Sequence, residues 1–322
     1  MRLLLVILLI LPFVGFSQKE NIDFPRDTSF TVQSTFLKER KKYPFITIVE
    51  EFHSPNVIAQ HDLVYYTFGN RKLHADVFYP SDTSKKHPGV ILIHGGGWAS
   101  GNKSHLVPLA QKLAANGFVA TSVEYRLSPE AKYPAGVIDL KTAIRWFKQN
   151  GSKFNLDTTK IAVLGTSAGA TLATLLGTTG GSSVFPSHLG FEGISDQVQS
   201  IVNMDGVLDF TDPAESGKDN DPKKPSAGAR WFGYTFIEKP ELWIEASPIT
   251  YVNNHTPPII FINSAQPRYH AGRDKYLDVL NRNGIYNEVH TIENTPHPYW
   301  LFHPWFDEAV PFIVSFLDKT LN

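Results

Sequence analysis

The feature that most narrows the fold is an alternation of two kinds of segment. Runs rich in valine and isoleucine (Gly89 to Ile93, Phe118 to Val123, Ile161 to Leu164, Val198 to Met204, Ile259 to Ile262) alternate with longer helical stretches. The helical patterns fall at residues 105 to 116, 135 to 150, 168 to 178, 271 to 283 and 306 to 319. Strands apolar along their whole length bury both faces, and helices between them act as crossovers, so the pattern predicts a mostly parallel, doubly wound sheet. Ahead of it, Val57 to Phe68 and Lys72 to Tyr79 flank Gly69-Asn70, which predicts an N-terminal hairpin. With no internal repeat and no long linker, one α/β domain is expected over residues 56–322, after an extension at 18–55 with weak periodicity. Sheets of this kind bind ligands at the carboxyl ends of their strands.

The N-terminus reads as a secretory signal. Met1-Arg2 precedes an apolar run from Leu3 to Val14, and Gly15-Phe16-Ser17 precede the polar Gln18-Lys19-Glu20, so cleavage is expected near Ser17. A membrane span needs roughly 20 apolar residues, more than this run supplies. The sequence contains no cysteine, which excludes a lipid-modified cysteine and a disulfide framework. A periplasmic or secreted protein without stable membrane insertion after cleavage is therefore expected. Thirty Lys and Arg against 31 Asp and Glu argue against a nucleic-acid partner. The one basic cluster, Lys38-Glu39-Arg40-Lys41-Lys42, reads as a solvated helix face.

Two motifs stand where strands stop. Ile161 to Leu164 runs into Gly165-Thr166-Ser167-Ala168-Gly169 and then into a helix, the strand–turn–helix setting that exposes a nucleophilic serine. Val90 to Ile93 ends in His94-Gly95-Gly96-Gly97-Trp98, whose unhindered backbone N–H groups suit an oxyanion hole. The amides of Gly96, Gly97 and Ala168 are the expected donors, and His94 is expected to brace the loop. The base is sought near the C-terminus. His297 follows the predicted strand Val289 to Ile292 in the loop Asn294-Thr295-Pro296-His297-Pro298-Tyr299, while its rival His303 stands where the last helix begins. No metal or cofactor is called for.

These motifs, with Glu124-Tyr125-Arg126-Leu127-Ser128-Pro129-Glu130, Tyr133-Pro134-Ala135, Asp139 and Trp146, resemble the hormone-sensitive-lipase-like branch of the α/β-hydrolases. The likeness spans roughly residues 56 to 320 and implies a carboxylic ester hydrolase, a branch that includes acetyl and feruloyl esterases. The tail, with Asn263-Ser264-Ala265-Gln266-Pro267-Arg268-Tyr269-His270 and Thr295-Pro296-His297-Pro298-Tyr299-Trp300, is similar to exported bacterial pectin-esterase-like hydrolases. That likeness implies a methyl or acetyl ester on a galacturonic-acid-rich polysaccharide or oligosaccharide.

One departure from the resemblance matters. The superfamily's acid usually follows the seventh strand, about where Gln266 stands, and an amide there cannot stabilise an imidazolium. Asp205, at the end of Ile201-Val202-Asn203-Met204, is the first candidate to replace it, in an alternative position that the fold also uses. Asp274 is the second, ahead of Glu293, Asp209 or a pair without an acid. Arg268 and Arg273 are candidates to bind a uronate carboxylate, against the reading that they form surface ion pairs. Trp98 is a candidate sugar platform, as are Trp231, Trp243, Trp300 and Trp305, at least half of which are expected in the core. The connection from Ser216 to Lys239 reads as a short lid-like insertion. Two other readings stand beside the pectin esterase: an acetylxylan or feruloyl esterase, and an inactive hydrolase fold kept as a glycan-binding protein.

Overall fold

A computed structural model describes residues 24–188, 190–216 and 223–321. The expected signal segment, residues 1–17, lies outside the described residues, as does the stretch 217–222 of the expected lid.

In chain order the elements are α1 (Val32–Glu39), β1 (Thr47–Ile48), β2 (Val57–Phe68), β3 (Arg71–Pro80), β4 (His87–Ile93), α2 (Val107–Ala115), β5 (Val119–Val123) and α3 (Ala135–Gln149). There follow β6 (Leu156–Thr166), α4 (Ala168–Thr179), β7 (Ser200–Met204), α5 (Pro213–Ser216), α6 (Ala227–Phe232) and α7 (Pro240–Glu245). The chain closes with β8 (Ile259–Asn263), α8 (Arg273–Arg282), β9 (Asn287–Thr291), β10 (Phe302–His303) and α9 (Trp305–Leu321).

Eight strands form one sheet in the order β2-β3-β5-β4-β6-β7-β8-β9. The hairpin β2–β3 is antiparallel, β3 joins β5 antiparallel, and every later pairing is parallel. The parallel strands separate two cores by simple alternation. Ile91, Ile93, Ile161 and Val163 face α3 and α4, whereas Val90, Leu92, Ala162 and Leu164 face α2 and α9. All eight are fully buried, and burying one Val, Leu or Ile side chain contributes roughly 1.5–3 kcal/mol. This is why the runs carry no polar face in the sequence.

Chain direction across the sheet reverses at β4, whose neighbours are β5 on one side and β6 on the other. Such a switch point opens a crevice at the carboxyl ends of the strands. The pairing Ile93↔Gly165 brings the glycine loop after β4 level with the serine turn after β6.

Residues 24–55 are tied into the same body. Tyr43, Ile46 and Val49 belong to the second core, and β1 pairs with β10 through Thr47↔His303 and Ile48↔Phe302. Thr31 caps α1 through a reciprocal bond with Ser34, a weaker sequence signal than the usual acidic partner.

The stretch after β5 is held by a buried ion pair. Asp139 on α3 accepts from the Arg126 guanidinium at 2.8 and 2.9 Å, from the Arg126 backbone N–H at 3.0 Å, and contacts His188 Nε2 at 2.9 Å. Removing one partner of such a pair leaves the other desolvated. Asp139→Ala is expected to lose about 3 kcal/mol of stability in urea unfolding, and a loss under about 1 kcal/mol would show that water replaces the carboxylate.

Candidate active site

The turn between β6 and α4 sets Ser167 at φ 53°, ψ −124°, a conformation that costs a non-glycine residue about 1–3 kcal/mol. The structure tolerates it because strand and helix lie too close for any other path. A Cβ on Gly165 would meet the Gly169 carbonyl, and one on Gly169 would meet the Ile93 carbonyl. The Ser167 N–H donates to the Met204 carbonyl at 2.8 Å, which fixes the turn against β7.

Ser167, His297 and Asp205 form one hydrogen-bonded chain. His297 Nε2 lies 2.7 Å from Ser167 Oγ, and its Nδ1 lies 2.8 Å from Asp205 Oδ2. A carboxylate only accepts, so Nδ1 carries the proton and Nε2 is left to accept from the serine hydroxyl. Asp205 is buried, with φ 61°, and its other oxygen accepts the Ser264 N–H at 2.7 Å. Asn203 braces that turn: its Oδ1 accepts the Gly206 N–H at 2.8 Å and its Nδ2 donates to Thr174 Oγ1 at 2.9 Å. The histidine loop is pinned by Thr295, whose hydroxyl accepts the Ala265 N–H and donates to the Ile292 carbonyl.

The glycine loop aims its amides by fixing its carbonyls. The Gly95 carbonyl contacts His94 Nδ1 at 2.8 Å, and the Gly96 carbonyl accepts from Ala99 N–H, Ser100 N–H and Ser100 Oγ. In a planar trans peptide the N–H of the next residue points the opposite way, so the Gly96 and Gly97 amides turn away from the loop's interior. Gly96 has φ 125° and its Cβ would strike the Ser100 carbonyl, so no other residue fits there. Ala168 is the first residue of α4, and its N–H has no partner within the helix. Gly96, Gly97, Ala168, Ser167 and His297 all line one cleft of about 790 Å³.

The other candidates separate cleanly. Gln266 lines the cleft, but the carboxylate on the histidine is that of Asp205. Asp274 is exposed and paired with Arg273, Asp209 binds Thr211 and Lys275, and Glu293 is exposed. His303 contacts Asp307 at 2.6 Å. Arg268 lines the cleft and pairs with Glu215 at 3.2 Å. Arg273 corrects the expectation: it is not among the described residues lining the cleft, because its guanidinium is drawn to Asp274 at 2.9 Å.

The tryptophan platform also needs correction. Trp98 and Trp300 line the cleft but are almost wholly buried, while Trp231, Trp243 and Trp305 are core. Trp98 stacks on Trp231 of α6 at 4.6 Å and 8°. The expected lid is therefore not structureless: α6 buries its aromatic end and presents Ala227 and Gly228 to the cleft.

Three features escaped the sequence reading. Tyr269 stacks on His297 at 3.4 Å and 8°, holding the imidazole plane. Buried His270 Nε2 faces Asp205 Oδ1 at 3.8 Å. Residues of α1 and its flanks line one side of the cleft. The first two sit in the loop that carries Gln266, where an aromatic next to a histidine was the available signal.

A family model described as BD-FAE matches residues 75–268, more than half of the chain. This chain belongs to the BD-FAE family. Esterase LipC of Mycobacterium tuberculosis is 32% identical over 225 residues, covering 67% of this BD-FAE chain and 51% of LipC. The chain spans about half the length of the curated relatives it matches, LipM among them. A truncated carbohydrate esterase from gut microbiota superposes with TM-score 0.67 at 21% identity, covering 84% of this chain and all of that one. An acetyl ester-xyloside bifunctional hydrolase from Caldicellulosiruptor lactoaceticus gives TM-score 0.66 at 23% identity, over 80% of this chain and 95% of that one. The BD-FAE chain thus has the α/β-hydrolase fold.

Two histidines behind the glycine loop couple it to pH. Burial lowers His94 to about 4 against the pull of the Gly95 carbonyl, and burial together with neighbouring His94 lowers His105 to about 4. The unfolded chain then takes up protons between pH 6.5 and about 4 that the folded chain does not, so stability is full above 6.5 and falls through this window. Each group contributes on the order of 1 kcal/mol per pH unit. His105→Leu is expected to flatten the dependence of the urea midpoint on pH below 6.5; an unaltered slope would mean that His105 is already charged in the fold.

Proposed function

We propose that this chain is an exported serine carbohydrate esterase that hydrolyses methyl or acetyl esters on a pectin-type glycan through an acyl-enzyme. The observation that carries the reading is the Ser167–His297–Asp205 chain opening into the same cleft as the Gly96, Gly97 and Ala168 amides.

In this reading Ser167 Oγ attacks the ester carbonyl carbon while His297 Nε2 takes the hydroxyl proton. Charge develops on the carbonyl oxygen, where the three amides donate; removing one such donor costs about 100- to 1,000-fold in rate. Collapse breaks the bond to the alcohol, which takes the proton from His297. A uronate methyl ester releases methanol and leaves a uronyl-enzyme, whereas an acetylated sugar leaves as the alcohol and the enzyme keeps the acetyl group. Water, deprotonated by His297, then attacks the acyl-enzyme and frees Ser167. Asp205 stabilises the imidazolium that exists between these steps, the role that Gln266 cannot fill.

A carbohydrate substrate is supported by the two structural neighbours described as a carbohydrate esterase and an acetyl ester-xyloside hydrolase. The pectin assignment rests on Arg268, whose planar guanidinium at the cleft suits a uronate carboxylate. The second neighbour favours a competing reading, an acetylxylan esterase, for which Arg268 is dispensable. Export rests on the Met1–Ser17 segment; among the described residues no helix is long and apolar enough to cross a membrane.

The test is ester release from methylated pectin, acetylated pectin and acetylated xylan in parallel. Ser167→Ala is expected to abolish turnover, and Asp205→Asn to lower kcat about ten-thousand-fold by presenting the wrong imidazole tautomer. Asp274→Asn is expected to match wild type. Preference for acetylxylan overturns the pectin assignment, and no turnover on any ester overturns the esterase reading in favour of glycan binding.

A further inference from the structure

Residues 27–48 run along the cleft and are fixed at both ends to the loops that hold the chemistry. At one end Asp27 N–H donates to the Ala99 carbonyl at 3.0 Å and Asp27 bridges to Ser100, just after the glycine loop. At the other, β1 pairs with Phe302 and His303, a few residues beyond His297. Between these anchors, Phe30 meets His105 edge-on at 5.1 Å, Phe36 packs on Phe302 at 6.2 Å, and Tyr43 meets Trp305 at 5.1 Å and 88°. The apolar side of α1 is thus spent on the core, and Ser34, Thr35, Lys38, Glu39 and Lys42 line the cleft.

The charges on this rim are sorted by exposure. The Lys38 side chain is 80% exposed and that of Arg268, on the histidine side, 54%. Lys42 is exposed, with its ammonium 5.0 Å from the Tyr43 ring. Among the described residues, Glu39 and Glu215 at the rim are only 14% and 12% exposed, each bound to one of these cations. The charges that meet solvent most fully among the described rim residues are cationic. A neutral glycan gains nothing from such an edge, whereas a polyuronate gains at each carboxylate.

We infer that α1 and its flanks form a subsite for the uronate units next to the esterified sugar, with Lys38 and Lys42 from that segment and Arg268 from the loop after β8 lining the same cleft. The inference rests on the reading of Ser167 as nucleophile, because it places the polymer by the ester that enters there. The lysines act on binding and not on the chemical step: they line the cleft rim, and exposed charges there stabilise a bound chain and its transition state alike. Exposed pairs are individually weak and screened by salt, so the signature is a modest, salt-sensitive change in KM.

The experiment uses the full chain with the double variant Lys38→Gln, Lys42→Gln. Partly methylated oligogalacturonate, acetylated xylo-oligosaccharide and 4-nitrophenyl acetate are compared at low and high sodium chloride. The ratio of kcat/KM on oligogalacturonate to that on 4-nitrophenyl acetate is expected to fall about five- to tenfold through KM at low salt, and the salt dependence of the wild-type KM to shrink with it. The ratio for acetylated xylo-oligosaccharide is expected to hold. An oligogalacturonate ratio equal to wild type, with the same salt dependence, overturns the subsite. An equal fall on both glycans overturns it as well, since the lysines then support the wall and do not read charge. Binding of unesterified oligogalacturonate by calorimetry, wild type against double variant, separates this from the esterase reading: if wild type fails on 4-nitrophenyl acetate the esterase reading falls, while weaker binding by the variant still upholds the subsite and equal binding overturns it.

Discussion

The close approach of α4 to the ends of β4 and β6 sets the geometry of everything around it. Gly169 lies against the Ile93 carbonyl and Gly165 against Gly169, so strand, turn and helix meet backbone to backbone with no side chain between them. That contact places three things in register at once: the first amide of α4, the strained Ser167, and the glycine loop that leaves β4 at Ile93. A single added methyl at either glycine would separate the serine from the amides that face the same cleft. The strain at Ser167 is local, but what sustains it is the buried pairing of the end of β6 with β4 on one side and β7 on the other.

The second dependence is on where the negative charge sits. Asp205 ends β7, one strand nearer the serine than the loop holding Gln266, and it still reaches His297 because φ 61° turns its side chain across the end of the sheet. The loop after β8 keeps a supporting part in the arrangement. Its Ser264 N–H holds the second carboxylate oxygen, Ala265 ties to the histidine loop through Thr295, and Tyr269 stacks on the imidazole. The loop therefore orients Asp205 and His297 without contributing a carboxylate of its own.

How much of this was legible in the sequence follows from the range of the interactions. The parallel sheet, the serine turn and the glycine loop were readable because each is specified by neighbours in the chain: apolar runs, a motif, and the switch between them. Asp205 was readable as the first candidate because it follows a strand end, and the structure adds that Asp274, the second, is exposed and paired with Arg273. The role of residues 24–43 was not legible, since its anchors are Ala99 and Phe302, far along the chain, and α1 is too short for a strong periodic signal. Which of the five candidate tryptophans belong to the core was not legible for the same reason: only the fold shows the face of Trp231 covered by Trp98.

The cleft has two kinds of wall, and they differ in how firmly they are joined to the chemistry. α6 stacks Trp231 directly on Trp98, the residue after Gly97, which itself has φ 57°. Ala227 lies against Gly97 on the same side. Any change in the insertion that moves Trp231 is transmitted to the peptide that carries the Gly97 amide, so shape and amide geometry are coupled there. Among the described residues, the segment that carries α1 is tied to the end of the glycine loop through Asp27, at Ala99 and Ser100, beyond the carbonyl that Ser100 already fixes. Side chains on α1 therefore have room to vary without disturbing those amides. A cleft whose amides must stay fixed accommodates change most readily in the wall that is mechanically separate from them.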